Sequence, residues 1–462
     1  MLSHGHRRPR ELAIQIAESA LKAVNSYEAV KRILILSENQ LRIGTIKRDL
    51  SKIRNVYFFG AGKATMGQAR AFEEILGKKI TKGIVIVKKG QAQQLSKIEV
   101  IEGGHPIPDE ASHMGARKIL EIAKVVGEGD LVFYCDSGGS SALMSHPAEG
   151  SGISFEDEQE VNRLLLMSGA PIYEMNAVRR HITALRGGRL QQLVLSRGAE
   201  IINLKITDSP AIIPRPPDIS VPFDGGWEDP TTYKDAVQVL RHYNLWERTP
   251  VSVRSYLQKG VAGGVSETPK SFKGLKACVF EIGSIPVACE AAVKKAVELG
   301  YEAAIVTTAL EGESREVGIV LASIAREAQA NHRPIRPPCV LIFGGETTVT
   351  INGAHGEGGP SQELALSLAS KIGGTPNIVC LTIDTDGSDG PTKFAGGLVD
   401  NHTLERAEKY DLDIFENLRT HDSSNALKRL DDVVYTGPTD TNVCDLIIIV
   451  IDEKERMHNA TI

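Results

Sequence analysis

The sequence predicts an α/β fold. We expect two α/β/α domains, the first on a Rossmann-like parallel sheet and the second with a mixed sheet, and a ligand site in the interdomain cleft. Three observations lead there. Short apolar runs of strand length alternate with segments of helical spacing, which implies sheets covered by helices on both faces. Polar, glycine-rich turns follow several of those runs, where ligands of such sheets bind. A segment rich in Pro, Gly and Asp, from Asp208 to Thr231, separates two such series. At 462 residues the chain can bury two cores. The expected domains are 1–230 and 231–462.

Taken in order, Glu11 to Leu36 reads as one helix, with Leu12, Ile16, Ala20 and Val24 on one face. Val56–Phe59 is a predicted strand and Ala64–Leu76 a helix. Gly83–Lys88 and Ile98–Glu102 read as strands, Ser112–Val126 as a helix, and Leu131–Cys135 as a strand. A helix at Ser141–Met144 follows that strand. In the second series Val293–Leu299 and Ser314–Gln329 read as helices. Ala303–Thr307, Val340–Phe343, Thr347–Ile351, Ile378–Ile383 and Leu446–Ile451 read as strands.

Bulk properties narrow the function classes. A net charge of -5 argues against a general nucleic-acid binder. No apolar run is long enough to span a bilayer. The basic start MLSHGHRRPR is not followed by a signal-type apolar core and reads as a frayed arm. None of the six cysteines forms a C-x-x-C pair, so buried free thiols in a reducing cytoplasm are expected.

The first stretch with chemistry is Gly60-Ala61-Gly62-Lys63, between a strand and a helix. It is no P-loop: Tyr57 stands where the early Gly belongs, and Ala64 replaces the magnesium-binding Ser or Thr. It is no dinucleotide fingerprint either, because Thr65 takes the place of the third Gly. The general physics remains. Glycines admit a ligand close to the backbone, helix-start N–H groups attract anions, and Lys63 adds a full charge. Asp136-Ser137-Gly138-Gly139-Ser140-Ser141 offers a second turn of this kind, suited to a carboxylate or phosphate. Gly103 to Asp109 forms a rigid Gly/Pro loop in which His105 either meets substrate or serves structure. From Arg179 to Arg189, four arginines and a histidine fall within eleven residues, beside a Gly-Gly pair. Asp384 to Thr392 resembles the start of a calcium loop, but Ala395 stands where its final Glu belongs. Acids and hydroxyls at a strand end suit a magnesium–phosphate or polyol site instead. Phe343 to Thr348 and Thr436 to Asn442 are further polar loops beside strands.

FGAGKA, GGHPIPD, SGGSSALM, NAVRRHIT with RGGRL, GGETTVTI, GGPSQELAL, TDGSDGPT and TGPTDTNVCDL stand in this order along the chain. The set resembles the class II glycerate kinases, the glycerate 2-kinase family with a MOFRL-type C-terminal region, here at about 337–452. The resemblance runs from about Glu11 to Asp452. It implies a two-domain cytoplasmic enzyme that moves the γ-phosphoryl group of ATP to D-glycerate, with 2-phosphoglycerate as the product of archaeal relatives. Lys63 matches the family lysine proposed to act at the reacting phosphate. With Gly60, Gly62, Glu346 and Asn442 it is expected to bind nucleotide phosphates. Ser137, Gly138, Gly139, Ser140 and Ser141, with Arg179 or Arg180, are expected to hold the glycerate carboxylate. Asp208 matches the aspartate of a family S-D-V-P segment and is the expected proton acceptor. Asp386 and Asp389 are the expected ligands of Mg²⁺ or another divalent cation, and Asp440 lies in a matching polar motif. Where many relatives carry GGR-N-Q-E, this chain has Pro360 at the arginine, and Arg179, Arg180 or Lys205 are the candidates to supply the charge. A homodimer is expected, with no nucleic-acid or membrane partner. The alternatives are a nicotinamide-dependent hydroxypyruvate reductase and a nucleotide- or acid-binding module without catalysis.

Overall fold

A computed structural model describes residues 2–209, 218–222 and 227–452. They divide into two compact units. One, the parallel unit, comprises the described residues among 29–206 and 215–282; the other, the mixed unit, those among 1–28, 207–214 and 283–462.

The parallel unit opens with a three-stranded antiparallel sheet, β1 (Leu34–Ser37), β2 (Gln40–Ile43) and β3 (Ile46–Asp49). Its main sheet contains β4 (Val56–Ala61), β5 (Lys82–Lys88), β6 (Ile98–Gly103), β7 (Leu131–Asp136), β8 (Glu200–Ile206) and β9 (Ala277–Gly283), in the order β6-β5-β4-β7-β8-β9. Every pair from β6 to β8 is parallel. Both faces are covered, so the strands read as continuous rather than alternating apolar runs. On one face Phe58 meets Phe72 of the helix Thr65–Leu76, and Phe72 also meets Phe133. On the other, Phe59, Ile84 and Val132 share a core with Ile119 and Leu120 of the helix Glu110–Ala123.

The sheet of the mixed unit contains β10 (Glu302–Leu310), β11 (Cys339–Gly345), β12 (Ile378–Asp384), β13 (Gly396–Asp400), β14 (Val433–Val434) and β15 (Asp445–Ile451). Its order is β10-β11-β15-β12-β13-β14, with β10–β11 parallel and the remaining pairs antiparallel. The mixed sheet matches the expectation.

Several local expectations change. The helix expected over 11–36 breaks at Asn25, giving helices Arg7–Val24 and Ser26–Ile33 followed by β1. The Asn25 side chain causes the break: Oδ1 accepts from the Glu28 amide at 3.1 Å and Nδ2 donates to the Thr439 carbonyl at 3.1 Å. The strand expected at Thr347–Ile351 reduces to one bridge, Glu313 to Thr348. The N-terminal arm is docked, not frayed. Arg10 is fully buried and bonds Asp400 Oδ2 at 2.7 Å and Asp432 Oδ1 at 2.8 Å. All six cysteines are free, and all but Cys278 are buried.

The units also part the chain differently from a cut at 230/231. β9 adds to the first sheet, and the helices Tyr233–His242 and Val251–Val261 share a core with Val161, Val178 and Ile182. The helix Arg7–Val24 packs instead on Ile285–Glu298 of the mixed unit. Composition marks a loop but not the sheet that a later strand joins. Residues 210–217 and 223–226 of the expected linker lie outside the described residues.

Candidate functional site

Each unit carries one cluster of polar side chains at strand ends. In the parallel unit the central strands β4 and β7 lie side by side, with Ala61 opposite Asp136. Their carboxyl ends therefore deliver the two glycine-rich turns to one place. The turns dock on each other: the Lys63 amide donates to the Gly138 carbonyl at 2.9 Å, and the Ala64 amide to Ser137 Oγ at 2.9 Å. Gly62 sits at φ +142, and a Cβ there would lie 2.2 Å from Ser137 Oγ. Only glycine permits this approach.

This docking alters one expectation. The amides of Gly62, Lys63 and Ala64, which the sequence offers to an anion, are spent on Ile86 O, Gly138 O and Ser137 Oγ. Gly60 lies within β4, its backbone in the ladder to β5 and β7. The charge of the first turn is carried by the half-buried side chain of Lys63. Its stem passes Gly139: a Cβ there, at φ +84, would lie 3.4 Å from Lys63 Cγ and 2.9 Å from His105 Cδ2. Lys63, His105 and Gly139 are thus neighbours, brought together from β4, the loop after β6 and the turn after β7. That loop borders a groove of about 380 Å³ lined by Lys88, Lys89, His105, Asp109 and Gln159 among others. Lys89 pairs with Asp109 at 2.7 Å, and this contact with the Ser112 and Gly104 amides holds the Asp109 carboxyl down at about 2, against the opposing effect of burial.

The arginine cluster divides. Arg179 is buried and donates through Nε to Asn162 Oδ1 at 2.7 Å, with its guanidinium pushed down to about 10 by burial. Arg180 pairs with Asp229 at 3.1 Å. Arg186 is different: Nε and Nη1 are shut off from solvent with no hydrogen-bond partner among the described residues.

In the mixed unit, β15 runs between β11 and β12 and is antiparallel to both, with Asp445 opposite Gly345 and Asp384. The carboxyl ends of β11 and β12 therefore meet the start of β15. Asp445 is buried there, and burial, then Asp384, Asp389 and Glu346, push its carboxyl well above the usual range. Cys444 Sγ lies 4.0 Å from Glu346 Oε2 and within electrostatic reach of Asp208. Glu346, Asp208 and Asp384 thus share this acidic edge. Asp386 accepts from the Ser388 amide and hydroxyl, each at 2.8 Å. Asn442 is buried, and Asp440 accepts through its carbonyl from the Ser26 amide at 2.9 Å.

Asp389 has a structural task. Its oxygens accept from the amides of Ser361 and Gln362 and from Gln362 Nε2, at 2.8–3.0 Å. It thereby caps the helix Pro360–Ile372, where Pro360 takes the first position. Burial pushes its carboxyl up to about 6. Among the described residues no group of three His, Cys, Asp or Glu side chains could hold a metal ion. The acidic edge suits a cation that arrives already bound to phosphates and waters, the usual manner of Mg²⁺. Nothing local in the sequence singles out Asp445, because it stands at a strand start, where its neighbours are set by pairing.

Comparison with known proteins follows these features. Residues 12–258 match a family model described as a domain of unknown function, DUF4147, and residues 339–445 match the MOFRL family. A Pyrococcus horikoshii protein named glycerate 2-kinase is 40% identical over 446 residues, covering 96% of this chain and 98% of the relative. A Thermotoga maritima protein named D-glycerate 2-kinase is 37% identical, covering 96% and 98%. The crystal structure of a Thermotoga maritima glycerate kinase superposes with a TM-score of 0.79 at 36% identity, covering 96% of this chain and 99% of that one.

Proposed function

The chain belongs to the glycerate 2-kinase family, and from that premise we propose that it transfers the γ-phosphoryl group of ATP to the 2-hydroxyl of D-glycerate. The observation that carries this reading is the convergence of Lys63 with the Ser137–Ser141 turn at the ends of β4 and β7. Phosphoryl transfer asks the protein mainly to hold reactants in line and to neutralise spreading charge. Lys63 supplies a mobile ammonium to the transferring group. The Ser137–Ser141 turn offers hydroxyls to the acceptor's carboxylate. Asp208, exposed on the acidic edge with Glu346, is our choice for the acceptor of the hydroxyl proton. Asn442 and Glu346 face the nucleotide in this reading.

The divalent cation enters with the nucleotide, and Asp386 and Asp384 would hold it. Bound there, it supplies charge neutralisation at the phosphates. Asp389 is set aside as a ligand because the start of a helix occupies its oxygens.

A nicotinamide reductase fits less well. Thr65 holds the position of the third fingerprint glycine, fully buried, with Oγ1 donating to Gly62 O at 2.8 Å. A coupled assay for ADP release with ATP and D-glycerate, followed by NMR of the product, tests the proposal. Phosphate on the 2-hydroxyl is the expected result. Oxidation of NADH by hydroxypyruvate without ADP formation would overturn it. A location in the cytoplasm and a homodimer belong to the same proposal, testable by fractionation and by light scattering.

A further inference from the structure

Among the described residues, three buried polar atoms without a partner belong to two side chains within electrostatic reach of each other around the end of β7. They are Nε and Nη1 of Arg186 and Oδ1 of Asp136. Arg186 also faces Tyr134, Arg179 and Arg180. The chain path explains the juxtaposition. Asp136 is the last residue of β7 and opens the Ser137–Ser141 turn. The segment after that turn pairs with the segment before Arg186, through the bridge of Pro147 to Thr183 and the Ala184 amide to His146 O at 2.8 Å. Arg186 is thereby brought back beside the strand end.

Burying a donor or acceptor without a partner is costly, so such atoms are few in native proteins. Here an orphaned cationic donor stands with an orphaned anionic acceptor, although neither bonds the other. D-Glycerate complements this pair: its carboxylate needs donors, and its 3-hydroxyl, which is not phosphorylated, needs an acceptor. Arg179 and Arg180 lack this quality because Asn162 and Asp229 already engage them.

We infer that Arg186 and Asp136 form the specificity pair for the acceptor, Arg186 receiving its carboxylate and Asp136 accepting a hydrogen bond from its 3-hydroxyl, which leaves the proton of the 2-hydroxyl to Asp208. This rests on the reading of the acceptor as D-glycerate. It replaces Arg179 and Arg180 in the carboxylate-binding role.

The test compares the full chain with Arg186→Gln, Arg186→Lys and Asp136→Asn. Steady-state kinetics are measured with ATP and D-glycerate, with glycerol as the acceptor lacking a carboxylate. Arg186→Gln is expected to raise KM for D-glycerate roughly 10- to 100-fold, to leave KM for ATP unchanged, and to erode the preference for D-glycerate over glycerol. Arg186→Lys recovers part of the loss, and Asp136→Asn lowers kcat/KM for both acceptors. Unchanged KM for D-glycerate in Arg186→Gln overturns the inference. So does an equal loss for ATP and D-glycerate with a lowered Tm that Arg186→Lys does not restore, which marks a structural charge. If the wild-type chain does not phosphorylate D-glycerate, the functional reading fails first. Calorimetric titration with D-glycerate and with lactate then tests the pair alone: binding weakened by Arg186→Gln supports it, and equal binding or none overturns it.

Discussion

Replacing Gly62 by alanine tests how tightly the turn geometry governs the lysine. A Cβ at this position would lie 2.2 Å from Ser137 Oγ, 2.8 Å from Ser137 O and 2.9 Å from Ser137 N. Ordinary contact begins at 3.4 Å, so the two turns must separate by about 1.2 Å at this point. A rotation of the Ser137 side chain does not relieve the strain, because two of the three contacts are backbone. It would also break the bond from the Ala64 amide. Lys63 follows Gly62 directly, and its own amide is tied to Gly138 O at 2.9 Å, so the shift carries into the lysine. A misplacement on the order of 1 Å costs about 10²-fold in rate, or about 2.7 kcal/mol of activation free energy. The φ of +142 adds roughly 1–3 kcal/mol of backbone strain. We therefore expect Gly62→Ala to lose about two orders of magnitude in kcat, together with a lower Tm, by the coupled ADP assay and thermal denaturation. Adding Ser137→Ala should restore little, since the backbone contacts persist. Wild-type kcat in folded Gly62→Ala would refute the argument that the docked turns position Lys63.

Lys63→Ala should reduce kcat by orders of magnitude while leaving Tm nearly unchanged, since its side chain is half-buried at the turn; full activity would remove it from the mechanism. Arg10→Ala leaves the fully buried carboxylates of Asp400 and Asp432 with Arg406 as their remaining arginine, and urea titration should show a loss of up to roughly 3–5 kcal/mol. Glu158 is buried and its carboxyl is pushed up to about 7, mainly by burial. Its folded value lies above the unfolded one, so its contribution is full below the unfolded value and lost as pH rises through about 7. Glu158→Gln, which cannot ionise, should gain on wild type by about 3 kcal/mol between pH 4 and 8; parallel stability curves across that range would contradict this. Chelation of divalent cations with EDTA should abolish turnover, and added Mg²⁺ should restore it; activity that survives chelation would remove the cation from the proposal.

Sequence by itself determined the fold class and pointed to the glycine-rich turns at strand ends. Buried parallel strands need apolar residues on both faces, so Val56–Ala61 and Leu131–Asp136 announce themselves as runs such as VYFF and LVFYC. Glycine is required where two backbones nearly touch, as at Gly62, and where φ is positive, as at Gly139, so both turns are marked in the sequence. Tertiary structure decided what pairing and burial decide. It brought Lys63, His105 and Gly139 together, made Asp389 a helix cap, and drew Asp445 between Asp384 and Gly345. It also sorted the arginines, engaging Arg179 and Arg180 and leaving Arg186 with open donors. The physical reason is common to all of these. Whether a polar group is spent or available depends on which distant segment lies within about 3 Å of it, and local spacing along the chain does not carry that information.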